Sequence, residues 1–265
     1  MKQFFSTILL AFFVMQLSAQ GLRSQLEASY LAYTDAVKTK DINKLKSSMS
    51  SASYVAIKNE LLSAQAKPDV YFATAPRNVF DLTKQLFLKA SEKGNTATSV
   101  YYGKDAFKTE SVLLIHFIKE NGAWKYHSLQ NKMTVEQLAK LRTTMDTTFL
   151  STKEYLPDGI VPPTPVEIGS VEVKGMIDIL AKGYSVKIKI NGIEQADLNK
   201  NTNDVIVIGG LKTGVNTIEI ETTPVGKPER LMINVAKVVN TLKYEVYSLD
   251  SVTPPASVKK EFIVK

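Results

Sequence analysis

The sequence predicts an α+β domain, helices packed on a curved antiparallel sheet, followed by an all-β sandwich. Three observations carry this. Between Leu22 and Leu62 apolar residues recur every three or four positions, the helical period. From Thr96 to Gln130 the chain turns to β-branched and aromatic runs around an Asn-Gly turn. Beyond Pro165 no helical period survives, and short alternating runs follow one another with turn residues between them.

The start of the chain sets the expected compartment. Met1-Lys2-Gln3 is followed by an apolar stretch from Phe4 to Leu17 and then Ser18-Ala19-Gln20, the three parts of a secretory signal. The stretch is about 14 residues long, short of the roughly 20 a spanning helix needs, so a signal peptide over 1–19, cut after Ala19, is expected rather than an anchor. A secreted or periplasmic protein with no membrane-spanning segment after cleavage follows. There are no cysteines. That excludes disulfides, thiolate metal sites, a cysteine nucleophile and a lipidated cysteine at the cut. The formal charge is +7, from lysines scattered along the chain. Scattered lysine reads as solubility, and without a basic-aromatic run no nucleic-acid partner is expected.

Each element has its own signal. Leu22, Leu26, Tyr30, Tyr33 and Val37 form one helical stripe. Asp41 reads as the N-cap of a helix carrying Ile42, Leu45 and Met49, and a third helix holds Tyr54, Ile57, Leu61 and Leu62. Lys67-Pro68-Asp69 reads as a break, and Val70-Tyr71-Phe72 as a short strand. Pro76 is expected to open a helix with Val79, Thr83, Leu86, Phe87 and Ala90 on one side, closed by Lys93-Gly94-Asn95. Strands are predicted over Thr96–Tyr102, Ser111–Lys119 and Ala123–Gln130, the last two joined at Asn121-Gly122. Thr134 and Gln137 read as a capping box for a helix with Val135, Leu138, Leu141 and Met145. Proline, glycine and polar residues cluster over 151–165, the expected linker between an α+β domain at 21–150 and a sandwich at 166–265.

In the second half, strands are predicted over Val166–Val173, Ile177–Ala181, Tyr184–Ile190, Val205–Ile208, Thr217–Glu221, Leu231–Val239, Leu242–Leu249 and Val258–Val264. Val186, Ile188 and Ile190 alternate with Lys187 and Lys189, the pattern of a strand with one wet face. Asn191-Gly192, Gly209-Gly210 and Lys212-Thr213-Gly214 mark turns.

The first half, over about residues 22–131, resembles the nuclear transport factor 2-like superfamily, the cystatin-like α+β cones. The resemblance rests on a long first helix running into AVKTKDINKLKSSM (36–49), on helices preceding paired strands, and on the final hairpin FIKENGAWKYHS (117–128). It implies a pocket between sheet and helix. Some members are isomerases, cyclases or dehydratases with an acidic base and Tyr or His partners. The residues of the required types here are His116, His127, Tyr126, Tyr101, Tyr102, Tyr30 and Asp105. No acidic residue sits within the histidine strands, so that chemistry lacks its base. The second half is similar to immunoglobulin-like β-sandwich modules, through GYSVKIKINGIEQ (183–195) and GGLKTGVNTIEIE (209–221).

Other chemistries fit less well. Asp197-Leu198-Asn199-Lys200-Asn201 copies the start of a calcium loop, but Thr202 and Ile208 stand where glycine and glutamate are required. No metal or other cofactor is expected. No nucleophile elbow, phosphate loop or dinucleotide fingerprint occurs. The expectation is therefore an exported envelope protein, non-catalytic rather than an enzyme. The cone domain would bind a small apolar ligand or an envelope protein partner through His116, His127, Tyr126, Tyr102 and Trp124. The sandwich would be a spacer or adhesion module. The alternatives are a pocket enzyme of the isomerase or hydratase type and a structural assembly component that pairs through sandwich edges.

Overall fold

Leu26, Tyr30 and Tyr33 lie on one side of a single long helix, α1 (Lys2–Thr39), and all three are buried. The computed structural model describes residues 2–74, 79–104, 109–132, 135–195 and 201–265, with side-chain surroundings from Gln20 onward except at Val135. Among these residues no helix is long and apolar enough to cross a membrane. α2 (Ile42–Ser48) starts as predicted: the Asp41 carboxylate accepts a hydrogen bond from the Lys44 amide at 3.0 Å, satisfying one of the free N–H groups of the first turn. α3 (Ser51–Ser63) and α4 (Pro68–Thr74) follow. α4 corrects the strand expected at 70–72. Pro68 occupies the first helical position, where its missing N–H is no loss, and Asp69 complements the positive helix end.

The helix expected from Pro76 is also corrected. Residues 75–78 lie outside the described ones. Beyond them come a 3-10 turn at Leu82–Lys84 and a strand, β1 (Leu86–Lys93). β1 pairs antiparallel with β2 (Thr96–Lys104), and β3 (Glu110–Glu120) and β4 (Ala123–Lys132) complete a sheet in the order β1-β2-β3-β4. The spacing of Val79, Thr83, Leu86 and Phe87 imitates a helix, but pairing with β2 outweighs local pattern. The β3–β4 hairpin turns at Asn121 (φ 52°) and Gly122 (φ 79°). Two successive left-handed residues match the twist of the strands they join. α5 (Val135–Thr144) comes next. Thr134 of the expected capping box lies outside the described residues, while the Gln137 side chain accepts a hydrogen bond from the Tyr155 hydroxyl at 2.9 Å.

Both faces of this sheet are covered. One carries Tyr101, Leu113, Ile115, Phe117, Trp124 and Tyr126 and meets α1: the Tyr33 and Tyr126 rings stack 3.9 Å apart, and the Ser29 hydroxyl donates to the Trp124 carbonyl at 2.9 Å. On the other, Val100, Val112 and Leu114 pack against Leu141 of α5 and against Leu150 and Tyr155. Those last two flank the start of the expected linker, which does not hang free. Two 3-10 turns, Thr148–Ser151 and Lys153–Tyr155, lead into a strap, and the Gly159 amide donates to the Thr96 hydroxyl at 3.0 Å.

The chain divides into two compact units, residues 1–55 with 72–165 and residues 56–71 with 166–265. One division falls after Pro165, so residues 151–165, expected as a linker, belong to the first unit. The membership of 56–71 in the second unit was not foreseen, and its cause is polar. The Asn59 side chain donates to the Val166 carbonyl at 2.8 Å and accepts from the Ile168 amide at 3.1 Å. The Ser63 hydroxyl accepts from the Gly209 amide at 2.9 Å. Held this way, 166–173 is not the strand predicted for it and joins the β structure only through a bridge between Val173 and Leu211.

Six of the remaining predicted strands are present, and the seventh, expected at Val205–Ile208, lies earlier, at Thr202–Ile206. β5 (Gly175–Lys182), β6 (Tyr184–Ile190), β7 (Ile193–Glu194), β8 (Thr202–Ile206), β9 (Gly214–Pro224), β10 (Arg230–Val239), β11 (Leu242–Ser251) and β12 (Ser257–Val264) form two antiparallel sheets, β11-β10-β5-β8 and β12-β9-β6-β7. The short β7 was not predicted. Residues of both sheets, Ile177, Ile188, Ile220, Ile233 and Phe262 among them, share one core. Val186, Ile188 and Ile190 are buried while Lys187 and Lys189 are exposed, as the alternation requires. The Leu211-Lys212-Thr213-Gly214-Val215-Asn216 phrase is knitted by its last residue. Asn216 is fully buried; it accepts from the Lys212 amide (2.9 Å) and the Asn191 side chain (2.9 Å) and donates to the carbonyls of Lys212 (2.7 Å) and Gly214 (3.2 Å).

Candidate functional site

Strand register decides where the two histidines go. On β2 and β3 Thr98 faces His116, and on β3 and β4 His116 faces Ser128. The next pair along is Phe117 with Tyr126, so His127 is an extra residue, a β-bulge. Without the bulge, His127 and Ser128 would point to opposite sides. With it, both line the same open groove as His116, on the sheet face away from α1. Thr96, Thr98, Ser128 and Gln130 continue that polar wall, and Leu156, Pro157, Ile160 and Pro162 of the strap form an apolar wall opposite. The groove encloses about 420 Å³, within the range of small-molecule sites. Charged groups at its rim are Lys132, Lys153, Glu154 and Asp158. Lys132 reaches across to the Glu154 carbonyl at 3.2 Å, and the Asp158 carboxylate accepts from the Ile160 amide at 2.8 Å.

Each imidazole is held through Nδ1 by a buried hydroxyl. The Thr98 Oγ1 lies 3.3 Å from Nδ1 of His116, and the Ser50 Oγ lies 2.8 Å from Nδ1 of His127. Ser50 is placed by a short parallel bridge in which its amide donates to the Tyr126 carbonyl at 2.7 Å. Nε2 of His116 is shut away from solvent, and the Gln130 side chain hydrogen-bonds the ring. Burial holds His116 below the usual histidine range, the nearby His127 and then Lys132 push the same way, and Gln130 and Asp158 oppose. His127 is lowered too, by burial, against the pull of Glu120.

These shifts fix a pH dependence. In the folded chain both histidines take up protons only below the ordinary value of 6.5, so just beneath that value the unfolded chain binds more protons. Their contribution to stability is complete above the unfolded value and is lost as pH falls from it toward the folded values. The melting point is expected to rise between about pH 5 and about pH 7, with a shallower slope in the His116→Gln/His127→Gln chain. A slope the double substitution leaves unchanged assigns the dependence to other groups.

The other three candidates are elsewhere. Tyr126 stacks on Tyr33 on the α1 face, the opposite side of the sheet from the groove. Trp124 is buried on that face too, beneath the Lys119 ammonium 5.0 Å from its ring centre, and lines a separate cleft of about 430 Å³ with Ser29, Asp35, Lys44 and Lys125. Tyr102 shares the groove's face but packs with Val100, Leu141 and Leu150 beyond its end. Tyr30 is buried, its hydroxyl accepting from the Phe80 amide at 2.8 Å, and burial pushes it up to about 12. Tyr101 donates to Glu27 at 3.1 Å and is raised by burial and that carboxylate. Asp105 and most of the calcium-like loop, residues 196–200, lie outside the described residues. No group of three or more His, Asp or Glu among the described residues is placed to hold a metal ion.

Sequence reasoning missed Ser50, Thr98, Gln130 and the strap. Nothing in a lone serine or threonine marks it as a histidine's partner. The prolines that make the strap's apolar wall are the residues that made it read as a linker. Set against protein-family models, curated proteins and solved structures, the chain has no match.

Proposed function

We propose that this is an exported envelope protein whose first unit binds a small ligand in the strap-covered groove without transforming it, the second unit acting as a spacer or adhesion module. The observation that carries the reading is the groove itself, with two imidazoles that burial keeps neutral at pH 7 in its polar wall. Binding is favoured over catalysis because the Nδ1 partners are hydroxyls. A general base is ordinarily oriented and charged by a carboxylate in that position. Export is supported by Lys2, the apolar stretch Phe4–Leu17 and the small residues Ser18 and Ala19. We read the units as a cone and an immunoglobulin-like sandwich, supported by helices before a four-stranded meander and by two sheets around one core.

A second reading has an observation of its own. The space between sheet and α1, where the cone resemblance implies a pocket, is filled by Tyr30, Tyr33, Tyr126 and Phe117. A filled interior with open edge strands β11 and β12 favours an assembly component.

The readings separate in a thermal-shift screen of the full chain against metabolites and lipids. Ligand that binds only the folded state must raise the melting point. The expected result is a reproducible rise that His116→Gln weakens about tenfold in apparent affinity, one hydrogen bond's worth. Tyr102→Phe, beyond the groove, should leave it unchanged. No shift with any compound, together with concentration-dependent self-association, would transfer the proposal to assembly.

A further inference from the structure

We infer that the mature chain begins with pyroglutamate: release of the signal leaves Gln20 as the first residue, and its α-amine closes on its own side-chain amide. This rests on the export reading above and adds a modification site to it.

The cut expected after Ala19 puts a glutamine at the new terminus. A free α-amine and the Cδ of the same glutamine are spaced to close a five-membered lactam. The amine nitrogen attacks Cδ, the Cδ–Nε2 bond breaks, and the side-chain nitrogen leaves as ammonia, carrying the proton that the amine gives up. Nothing is oxidised and no co-reactant is consumed. The step needs the neutral amine, and an ordinary α-amino group, with a pKa of about 7.7–8.0, is about one-tenth neutral at pH 7. Both reacting groups belong to one residue, so no bimolecular encounter is required.

The surroundings favour closure. Gln20 and Gly21 are exposed, and Leu22 is the first half-buried residue after them. A Cβ placed on Gly21 would meet nothing within 4 Å, so no neighbouring side chain crowds the ring or an enzyme that forms it.

Charge favours it as well. Cutting after Ala19 removes the residues four positions back whose carbonyls serve the Gly21, Leu22 and Arg23 amides of α1, and these amides become the positive end of the helix. An α-ammonium there is repelled by that end and by Arg23. No acidic residue lies between Gln20 and Leu26. The first one, Glu27, is already engaged, with Arg23 Nε at 2.8 Å and the Tyr101 hydroxyl at 3.1 Å. The lactam carries no charge, so closure removes the repulsion. It also leaves no amine for an aminopeptidase to grip, which protects the entry to a helix whose Leu26 and Tyr30 are buried.

The test is mass spectrometry of the full gene product, expressed with its own leader in a bacterium and taken from the periplasm or medium, with a Gln20→Asn chain alongside. Asparagine keeps an amide but would have to close a four-membered ring, so its amine stays free. The native chain should give an N-terminal peptide that starts at residue 20 and is lighter by one ammonia than the linear sequence. An aminopeptidase should leave it whole while trimming the Gln20→Asn chain. A terminus at residue 20 with the linear mass, unchanged on standing at about pH 8 where about half the amine is neutral, overturns the lactam and leaves export in place. Trimming of the native chain as fast as the Gln20→Asn chain overturns it too, as does a cut leaving any residue other than Gln20 first. A secreted or periplasmic chain is absent, and the product still begins at Met1, only if the export reading itself is wrong, and the lactam falls with it.

Discussion

Replacing Phe117 by alanine should destabilise the first unit by about 3–5 kcal/mol, the range for emptying an aromatic position in a core. Phe117 is 1 % exposed and central in β3, paired with Ala97 on one side and Tyr126 on the other. Its neighbours belong to paired strands and to α1, so they can collapse into the void only by moving backbone. A unit of this size loses roughly 2–4 °C of melting temperature per kcal/mol, so a fall of roughly 6–20 °C is expected by calorimetry on the full chain. Amide exchange should accelerate in β2, β3 and β4 and stay slow in the second unit. A loss under about 1 kcal/mol would mean the α1 face is loosely packed, and the filled interior described here would be wrong.

Asn216→Ala should do comparable damage to the second unit. The truncation strands two donors, the Lys212 amide and the Asn191 side chain, and two carbonyls, those of Lys212 and Gly214. Each buried group left without a partner costs about 1–3 kcal/mol, though water reaches some of them, so a total loss of about 3–5 kcal/mol is expected from chemical denaturation. Asn216→Asp keeps the acceptor and loses both donations, placing a carboxylate against two carbonyls. It should rescue little. Rescue to within about 0.5 kcal/mol would show that the turn depends on the two accepted bonds alone.

The legible parts of the fold were those with strong local rules. The Asp41 cap, the Asn121-Gly122 hairpin and the one-sided strand Tyr184–Ile190 each obey a principle acting within about ten residues. The misread parts depend on partners far away in sequence. β1 carries helical spacing and becomes a strand because β2 is there to pair with it. Pro68 was read as a stop when it is a start, since a proline signals both and only the downstream turn tells them apart. The site divides in the same way. His116 and His127 could be named from composition, but their common side of the sheet depends on one inserted residue, and a one-residue slip reverses a side chain's face. Tyr126 and Trp124, equally plausible by type, fall on the other side by that same alternation.

The bonds that tie Asn59 and Ser63 to Val166, Ile168 and Gly209 set the order in which this protein can be made. Ser63 and Gly209 are 146 positions apart. A ribosome adding about 5–20 residues per second leaves roughly 7–30 s between the synthesis of one and that of the other. Until Val166 is made, 107 positions after Asn59, the second half of α3 has none of these partners. A gene fragment beginning at Val166 would then encode eight strands without the segment that anchors their entrance, whereas one that also supplies residues 56–71, even as a separate peptide, restores it. The second unit is in this sense begun before the first is finished.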